Sequence, residues 1–255
     1  MPKRGLIFDL NGTLYFKERA LEGAAETLAL LRGHGFDLRF MTNTDTKTRT
    51  EIHELMKSYG LELPIHEIYS AAHATYAYLK NNNYSFTGLL PEGLEQDFKD
   101  VRRDDEMPDC VLIGENREAI TYEMLDKLFR HLMRGAELIV MQPGRHYFLA
   151  DGPHLDTGSI GAMFEYATGH QANIMAKPSL NFFKMVLSDL NLKGSEVAVI
   201  GDDIETDLVG AAQIGADSIL VRTGMYKSAD ELLSSIKPSF VIDQIKDLPA
   251  VLERL

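Results

Sequence analysis

At 255 residues, 45% of them hydrophobic and 25% charged, the chain has the proportions of a folded globular protein with room for one domain or two. Its formal net charge of -12 gives an acidic average surface, and the nearest basic features, Lys3-Arg4 and Arg102-Arg103, are only pairs, the second followed at once by Asp104, Asp105 and Glu106. Neither nucleic acid nor an anionic membrane is therefore an expected partner.

The amino-terminal run behind Lys3 and Arg4 is too short for a signal peptide, and no apolar run of about 18 residues follows anywhere, so the chain reads as cytoplasmic. That first run, Leu6-Ile7-Phe8, stops at Asp9-Leu10-Asn11-Gly12. It reads as a buried strand whose last residue is presented at the carboxyl edge of a sheet, because Asn and Gly tolerate the tight backbone that must follow. The same residues also suit a plain solvated turn. Residues 22–34 carry Ala24, Ala25, Leu28 and Leu31 at helical spacing and end at Gly33 and Gly35. A second strand, 36–41, runs into Thr42-Asn43-Thr44-Asp45-Thr46, which suits both a helix cap for 47–59 and an anion site at that helix's start.

From about residue 70 to 173 the same two periods continue without acidic or glycine-rich strand ends of that quality. Helices are predicted over 71–80, 92–99, 121–134 and 159–168, and strands over 88–90, 110–114 and 137–141. The lone Cys110 in Cys110-Val111-Leu112-Ile113 cannot close an internal disulfide and reads as a packed core thiol in a reducing compartment. After this stretch come a helix over 178–190, a strand over 197–200 ending at Gly201-Asp202-Asp203, a helix over 206–214, strands over 218–221 and 240–242, and a closing helix from 248. Strands alternating with helices predict a doubly wound α/β parallel sheet with right-handed crossovers. The middle stretch predicts a second α/β unit inserted into it, and some ~100 residues suffice for a small domain. The expected division is a core of residues 1–69 and 174–255 and an insert of 70–173.

Four features at or near strand ends share one explanation. Asp9 supplies a nucleophilic carboxylate, Thr42 a hydroxyl beside backbone amides, Lys177 a cation, and Asp202, Asp203 and Asp207 an acidic group. Together they match phosphoryl transfer. Mg²⁺, which prefers oxygen ligands, would sit between Asp9 and Asp202, Lys177 and Thr42 would meet the phosphoryl oxygens, and Asp9 would attack phosphorus to form an aspartyl-phosphate. Each feature has a plainer reading as well: a surface lysine before Pro178, helix caps at Asp202 and Asp203, a surface helix residue at Asp207.

The run Asp9-Leu10-Asn11-Gly12-Thr13-Leu14 resembles the first motif of the haloacid dehalogenase superfamily of phosphatases. Thr42-Asn43 resembles the second, Lys177-Pro178 the third, and Gly201-Asp202-Asp203 with Asp207 the fourth. The insert between the second and third resembles the type IIA cap. What the resemblance implies is Asp9 as nucleophile and metal ligand, the carbonyl of Asn11 and the Asp202 carboxylate as further ligands, and a phosphoryl group held by the Asn11-Gly12 turn, Thr42, Asn43 and Lys177. Asp203 and Asp207 would support Lys177 and the metal's water shell. The substrate would be a small phosphorylated compound over which the cap closes. Arg145, in the stretch 141–147 that lines up with the family's substrate-facing loop, reads either as an anion contact or as plain surface. Pairing of two copies through the cap is implied by the resemblance alone.

The pattern breaks at Asn11, where most phosphatases of this superfamily have a second aspartate as acid and base. An amide exchanges no proton near neutral pH, so a contribution typically worth about 10²- to 10⁴-fold in rate is expected to be missing or supplied by water. Two outcomes stay open: a phosphatase restricted to leaving groups that need little help, such as those of phosphoramidates, pyrophosphate or aryl phosphates, or a weakly active module that binds a phosphorylated ligand or regulates. A receiver-like domain phosphorylated on aspartate would need only one sheet domain, and the insert counts against it.

Overall fold

The computed structural model describes residues 3–252. They form two compact units, one from residues up to 42, 49–69 and from 177 onward, the other from 43–48 and 70–176.

The first unit is built on a six-stranded sheet in the order Phe240–Ile242, Asp217–Val221, Val197–Gly201, Gly5–Asp9, Asp37–Thr42, Ile68–Ser70. The first five strands pair in parallel. Every residue of Gly5–Asp9 and of Val197–Gly201 is buried, which is why these strands read as unbroken apolar runs rather than alternating ones. Ala24, Leu28 and Leu31, spaced to share one face of the helix Ala24–Gly33, enter a common core with Leu6, Phe8, Leu38 and Phe40. Within it the rings of Phe8 and Phe40 stack with centroids 5.8 Å apart. The helices Arg49–Ser58, Leu180–Leu190 and Val209–Ile214 complete the α/β alternation.

From the central strand Gly5–Asp9 the chain passes to Asp37–Thr42 on one side and returns through Val197–Gly201 on the other. Phe8 stands level with both Phe40 and Ile200. The carboxyl ends of these three strands therefore meet where the strand order reverses, the position at which open α/β sheets bind ligands.

The second unit has a four-stranded parallel sheet, Asn173–Ile174, Glu137–Val140, Cys110–Ile113 and Phe86–Leu89. Leu128 and Leu132 of the helix Tyr122–Met133 and Phe164 of the helix Thr157–Thr168 pack with Leu89, Val111, Ile113, Leu138 and Val140. Cys110 is buried in its strand, and burial pushes the thiol up to about 12, so it is a packing residue. An antiparallel hairpin, His146–Leu149 with Gly152–Leu155, exposes Phe148, Leu149 and Leu155.

Several elements depart from the sequence reading. The helix expected over 92–99 is a single 3-10 turn, Glu92–Leu94, followed by irregular turns; Gly93 weakens the helical preference of its first turn. The helix expected from 206 opens with a π turn, Ile204–Leu208, before Val209–Ile214. Residues 43–48, which follow the second long strand, pack with the second unit. No helix among the described residues is long and apolar enough to cross a membrane.

That segment brings a carboxylate into the second unit. Asp45 is buried and accepts a hydrogen bond from the Thr157 hydroxyl at 2.8 Å. Burial, opposed by this bond and reinforced by the charges of Asp156 and Glu115, pushes its carboxyl up to about 6. The folded chain therefore holds a proton between pH 4 and 6 that the unfolded chain has released. Stability falls as pH rises through that window, by about 3 kcal/mol in all. Asp45→Asn keeps an acceptor for Thr157 but cannot ionise, so it should gain on the wild type by up to that amount between pH 4 and pH 8. Denaturant unfolding across this range measures the gain, and a difference that does not change with pH would show that Asp45 is not the titrating group.

Candidate active site

Asp9 is the last residue of the central strand and stands level with Met41. Asp202 lies one residue past Gly201, the end of the neighbouring strand, and Asp207 follows on the next turn. The three buried carboxylates each offer one oxygen, and these oxygens lie within 4.8 Å of one another. Lys177 projects among them, its Nζ 2.5 Å from Asp9 Oδ1 and 2.6 Å from Asp207 Oδ1. Lys177 itself is 3% exposed, so this is a desolvated ion cluster rather than a surface bridge.

The turn after Asp9 is tight because it has to be. Gly12 adopts φ +98°, and a Cβ there would collide with the Asp202 carboxylate. Its N–H donates to Tyr15 O at 2.7 Å. Asp202 is held from other directions by the Met225 N–H, 2.6 Å from Oδ2, and by a long 3.4 Å contact from the Thr13 hydroxyl to Oδ1.

With three carboxylates and one ammonium, the fully ionised cluster carries two negative charges in excess. The cluster responds as electrostatics requires. Burial, then the charges of Asp9 and Asp207, push the Asp202 carboxyl up to about 8. Burial, partly offset by Lys177, pushes Asp207 up to about 7. Burial alone would lower Lys177, but Asp207 and Asp9 hold it above its ordinary range and keep it protonated. Asp9 Oδ2 is buried with no hydrogen-bond partner among the described residues. An all-oxygen donor set, excess negative charge and an orphaned carboxylate oxygen together fit a hard divalent cation such as Mg²⁺.

The remaining residues singled out in the sequence lie as follows. Thr42 closes the strand Asp37–Thr42 and is buried. Asn43 opens the segment 43–48 that packs with the second unit. Asn11 is exposed at the turn after the central strand. Asp203 caps the following turn, its Oδ1 accepting from the Glu205 N–H at 2.8 Å while its own N–H donates to Asp207 Oδ2 at 3.3 Å. Arg145 is exposed in the second unit, in a loop pinned by its own carbonyl, which accepts from the Asp156 N–H and the Ser159 hydroxyl. Gln142 steadies the same loop, donating to Asp156 and accepting from the Gly144 N–H.

Sequence reasoning assigned no role to Thr13, Thr223 or Met225. Thr223 and Met225 follow the strand Asp217–Val221, so the signal that marked Asp9 and Asp202, polar or small residues just past a buried strand, was present there too.

Two family models match the chain, one described as haloacid dehalogenase-like hydrolase over residues 6–102 and one as HAD-hydrolase-like over residues 174–248. Over 249 residues it is 34% identical to the phospholysine phosphohistidine inorganic pyrophosphate phosphatase of Danio rerio, covering 95% of this chain and 91% of that protein. It is 35% identical to haloacid dehalogenase-like hydrolase domain-containing protein 2 of Mus musculus over 228 residues, 89% of this chain and 87% of the relative. Among solved structures, the p-nitrophenyl phosphatase from Archaeoglobus fulgidus superposes with a TM-score of 0.88 at 28% identity, covering 100% of both chains. Sharing about a third of its residues with such relatives over nearly its whole length, the chain belongs to the haloacid dehalogenase-like hydrolase family.

Proposed function

We propose that the chain is a Mg²⁺-dependent phosphatase that hydrolyses small phosphorylated substrates through an aspartyl-phosphate on Asp9. The observation that carries this reading is the state of Asp9 itself. One carboxylate oxygen is fixed by Lys177 and the other is buried without a hydrogen-bond partner among the described residues, at the carboxyl edge of the sheet and beside two further carboxylates.

Asp9 and Asp202 would hold the ion through their carboxylates, and Asn11 through its backbone carbonyl. A bound Mg²⁺ there supplies charge neutralisation, offsetting the excess carboxylates and polarising the phosphoryl group. Asp9 attacks phosphorus, forming a carboxylate O–P bond as the bond from phosphorus to the leaving group breaks. Water then attacks the aspartyl-phosphate, restoring the carboxylate and releasing inorganic phosphate. Lys177, kept protonated by its two carboxylate partners, and Thr42 and Asn43 contact the phosphoryl oxygens. Asp207 fixes the Lys177 ammonium, and Asp203 fixes the turn that carries Asp207. For Arg145, exposed on the second unit, the resemblance supports a role as an anion contact.

Asn11 sets the substrate class. Without an ionisable group at that position, the leaving group must depart with a proton from water or with none, which favours phosphoramidates, pyrophosphate and aryl phosphates over alkyl phosphates. The names of the relatives point the same way, one to phospholysine, phosphohistidine and pyrophosphate and another to p-nitrophenyl phosphate. The same asparagine favours a second reading, a catalytically weak module that binds a phosphorylated ligand or regulates. The buried, reduced Cys110 suits a cytoplasmic location. Exposed Phe148, Leu149 and Leu155 provide an apolar face through which two copies could pair.

With p-nitrophenyl phosphate as probe, the wild type should turn over in Mg²⁺ and stop in excess chelator, and Asp9→Asn should lose at least about a thousandfold in kcat. Unchanged turnover in that variant would remove Asp9 as nucleophile. Asn11→Asp should raise hydrolysis of alkyl phosphates by about tenfold or more and affect aryl phosphates less. Equal rates before and after the change would show that acid catalysis at position 11 is not what limits turnover. In sedimentation analysis the wild type should run as a dimer and Phe148→Glu as a monomer; a monomeric wild type would discard the pairing.

A further inference from the structure

The loop 222–226, directly after the strand Asp217–Val221, has no part in the chemistry above, yet it touches the site twice. The Met225 N–H donates to Asp202 Oδ2 at 2.6 Å, and the Thr223 hydroxyl donates to the Gly12 carbonyl at 2.5 Å. Between them Gly224 passes so close that a Cβ would collide with the Asp202 carboxylate and with the backbone of Gly12. The loop thus spans from the turn after Asp9 to the neighbouring acidic residue.

The bond from Thr223 has a specific consequence. Gly12 is the residue with most backbone freedom in that turn, and it is fixed on both sides: its N–H by Tyr15 O, its carbonyl by Thr223. The first of these bonds sets the plane of the Asn11–Gly12 peptide and so the direction of the Asn11 carbonyl. The second stops Gly12 from rotating and releasing it.

The loop is stiff enough to act as a brace. The Arg222 N–H donates to Ile242 O at 2.9 Å, and its guanidinium reaches Glu231 at 3.1 Å and Asp243 at 3.3 Å. The Tyr226 hydroxyl donates to Glu231 at 2.6 Å, and the Tyr226 N–H closes back on Thr223 O at 3.0 Å. Such exposed pairs add little stability singly, but together they tie both ends of the five-residue loop.

We propose that Thr223 is a positioning residue of the metal site, holding the Asn11-Gly12 turn and the Asp202 carboxylate in fixed relation through the loop 222–226. It touches neither substrate nor ion. The inference rests on the Mg²⁺ reading above, and its test separates the two. Calorimetric titration of the purified protein with Mg²⁺ alone gives a Kd without any turnover, and melting in chelator reports the fold. Thr223→Val, close in shape but without the donor, should melt near the wild type in chelator and bind Mg²⁺ about five- to tenfold more weakly, the worth of one hydrogen bond. Thr223→Ser should restore the affinity to within about twofold, since it keeps the hydroxyl. Should Thr223→Val fold poorly, Thr223→Ala removes the same donor without bulk and must weaken Mg²⁺ alike. Wild-type affinity in both hydroxyl-less variants, or a serine variant as weak as valine, would overturn the role of Thr223. A wild type that takes up no Mg²⁺ would instead overturn the metal reading and the inference with it.

Discussion

The desolvation of three carboxylates around one ammonium is the constraint to which the rest of this unit answers. Removing any such group from water costs several kcal/mol, and attraction recovers that cost only when the partners are held at hydrogen-bond distance. Lys177 meets Asp9 and Asp207 at 2.5 and 2.6 Å, which accounts for the arrangement of both. It leaves Asp202 and one oxygen of Asp9 unbalanced. The unbalanced half is what the proposed cation would offset, so the electrostatic cost to the fold and the proposed capacity to bind have one origin.

Holding that geometry is the work of the sheet. Neighbouring strands run about 4.8 Å apart. With Phe8 level with Ile200, Asp9 at the end of one strand and Asp202 just past the end of the next bring carboxylate oxygens within 4.8 Å of each other. A slip of one residue in either strand would turn every side chain to the other face, burying Asp9 among the leucines or sending Asp202 out of range. The core makes that slip costly, because Leu6, Phe8, Phe40, Ala198 and Ile200 all share one apolar cluster and would have to leave it together. Packing that contains no chemistry therefore sets the distances on which the chemistry depends.

Legibility in the sequence followed the same division. Strands buried on both faces announce themselves as unbroken apolar runs, and their polar ends stand out against them, so Asp9 and Asp202 could be read directly; Thr42 follows the buried Phe40-Met41 end of a strand that begins exposed at Asp37. Short strands gave no such signal. Ile68–Ser70 has three residues and Asn173–Ile174 two, too few for any period to register. The hairpin at His146–Leu149 is mostly exposed and lacks the alternation that marks a half-buried strand. At the site, the Met225 contribution is a backbone N–H, a group every residue but proline carries, so no residue type could have disclosed it. The partnership of Lys177 with Asp207, residues 30 apart, was expected from the family resemblance alone, since nothing local to either stretch announces it.

The place of Asn11 shows how binding and proton transfer come apart in such a site. Its side chain is exposed at the turn, outside the buried cluster, so exchanging a carboxyl for an amide there costs the fold almost nothing. Its backbone lies in the turn that Gly12, Tyr15 and Thr223 hold rigid, and a backbone carbonyl is the same whichever residue carries it. Position 11 can therefore lose its acid without disturbing the carboxylates, Lys177 or the turn. On the proposed mechanism, what changes is only which leaving groups can depart unaided. Substrate preference in a site of this kind can shift at one exposed residue while the buried charges, which could not be altered one at a time without leaving another unpaired, stay as they are.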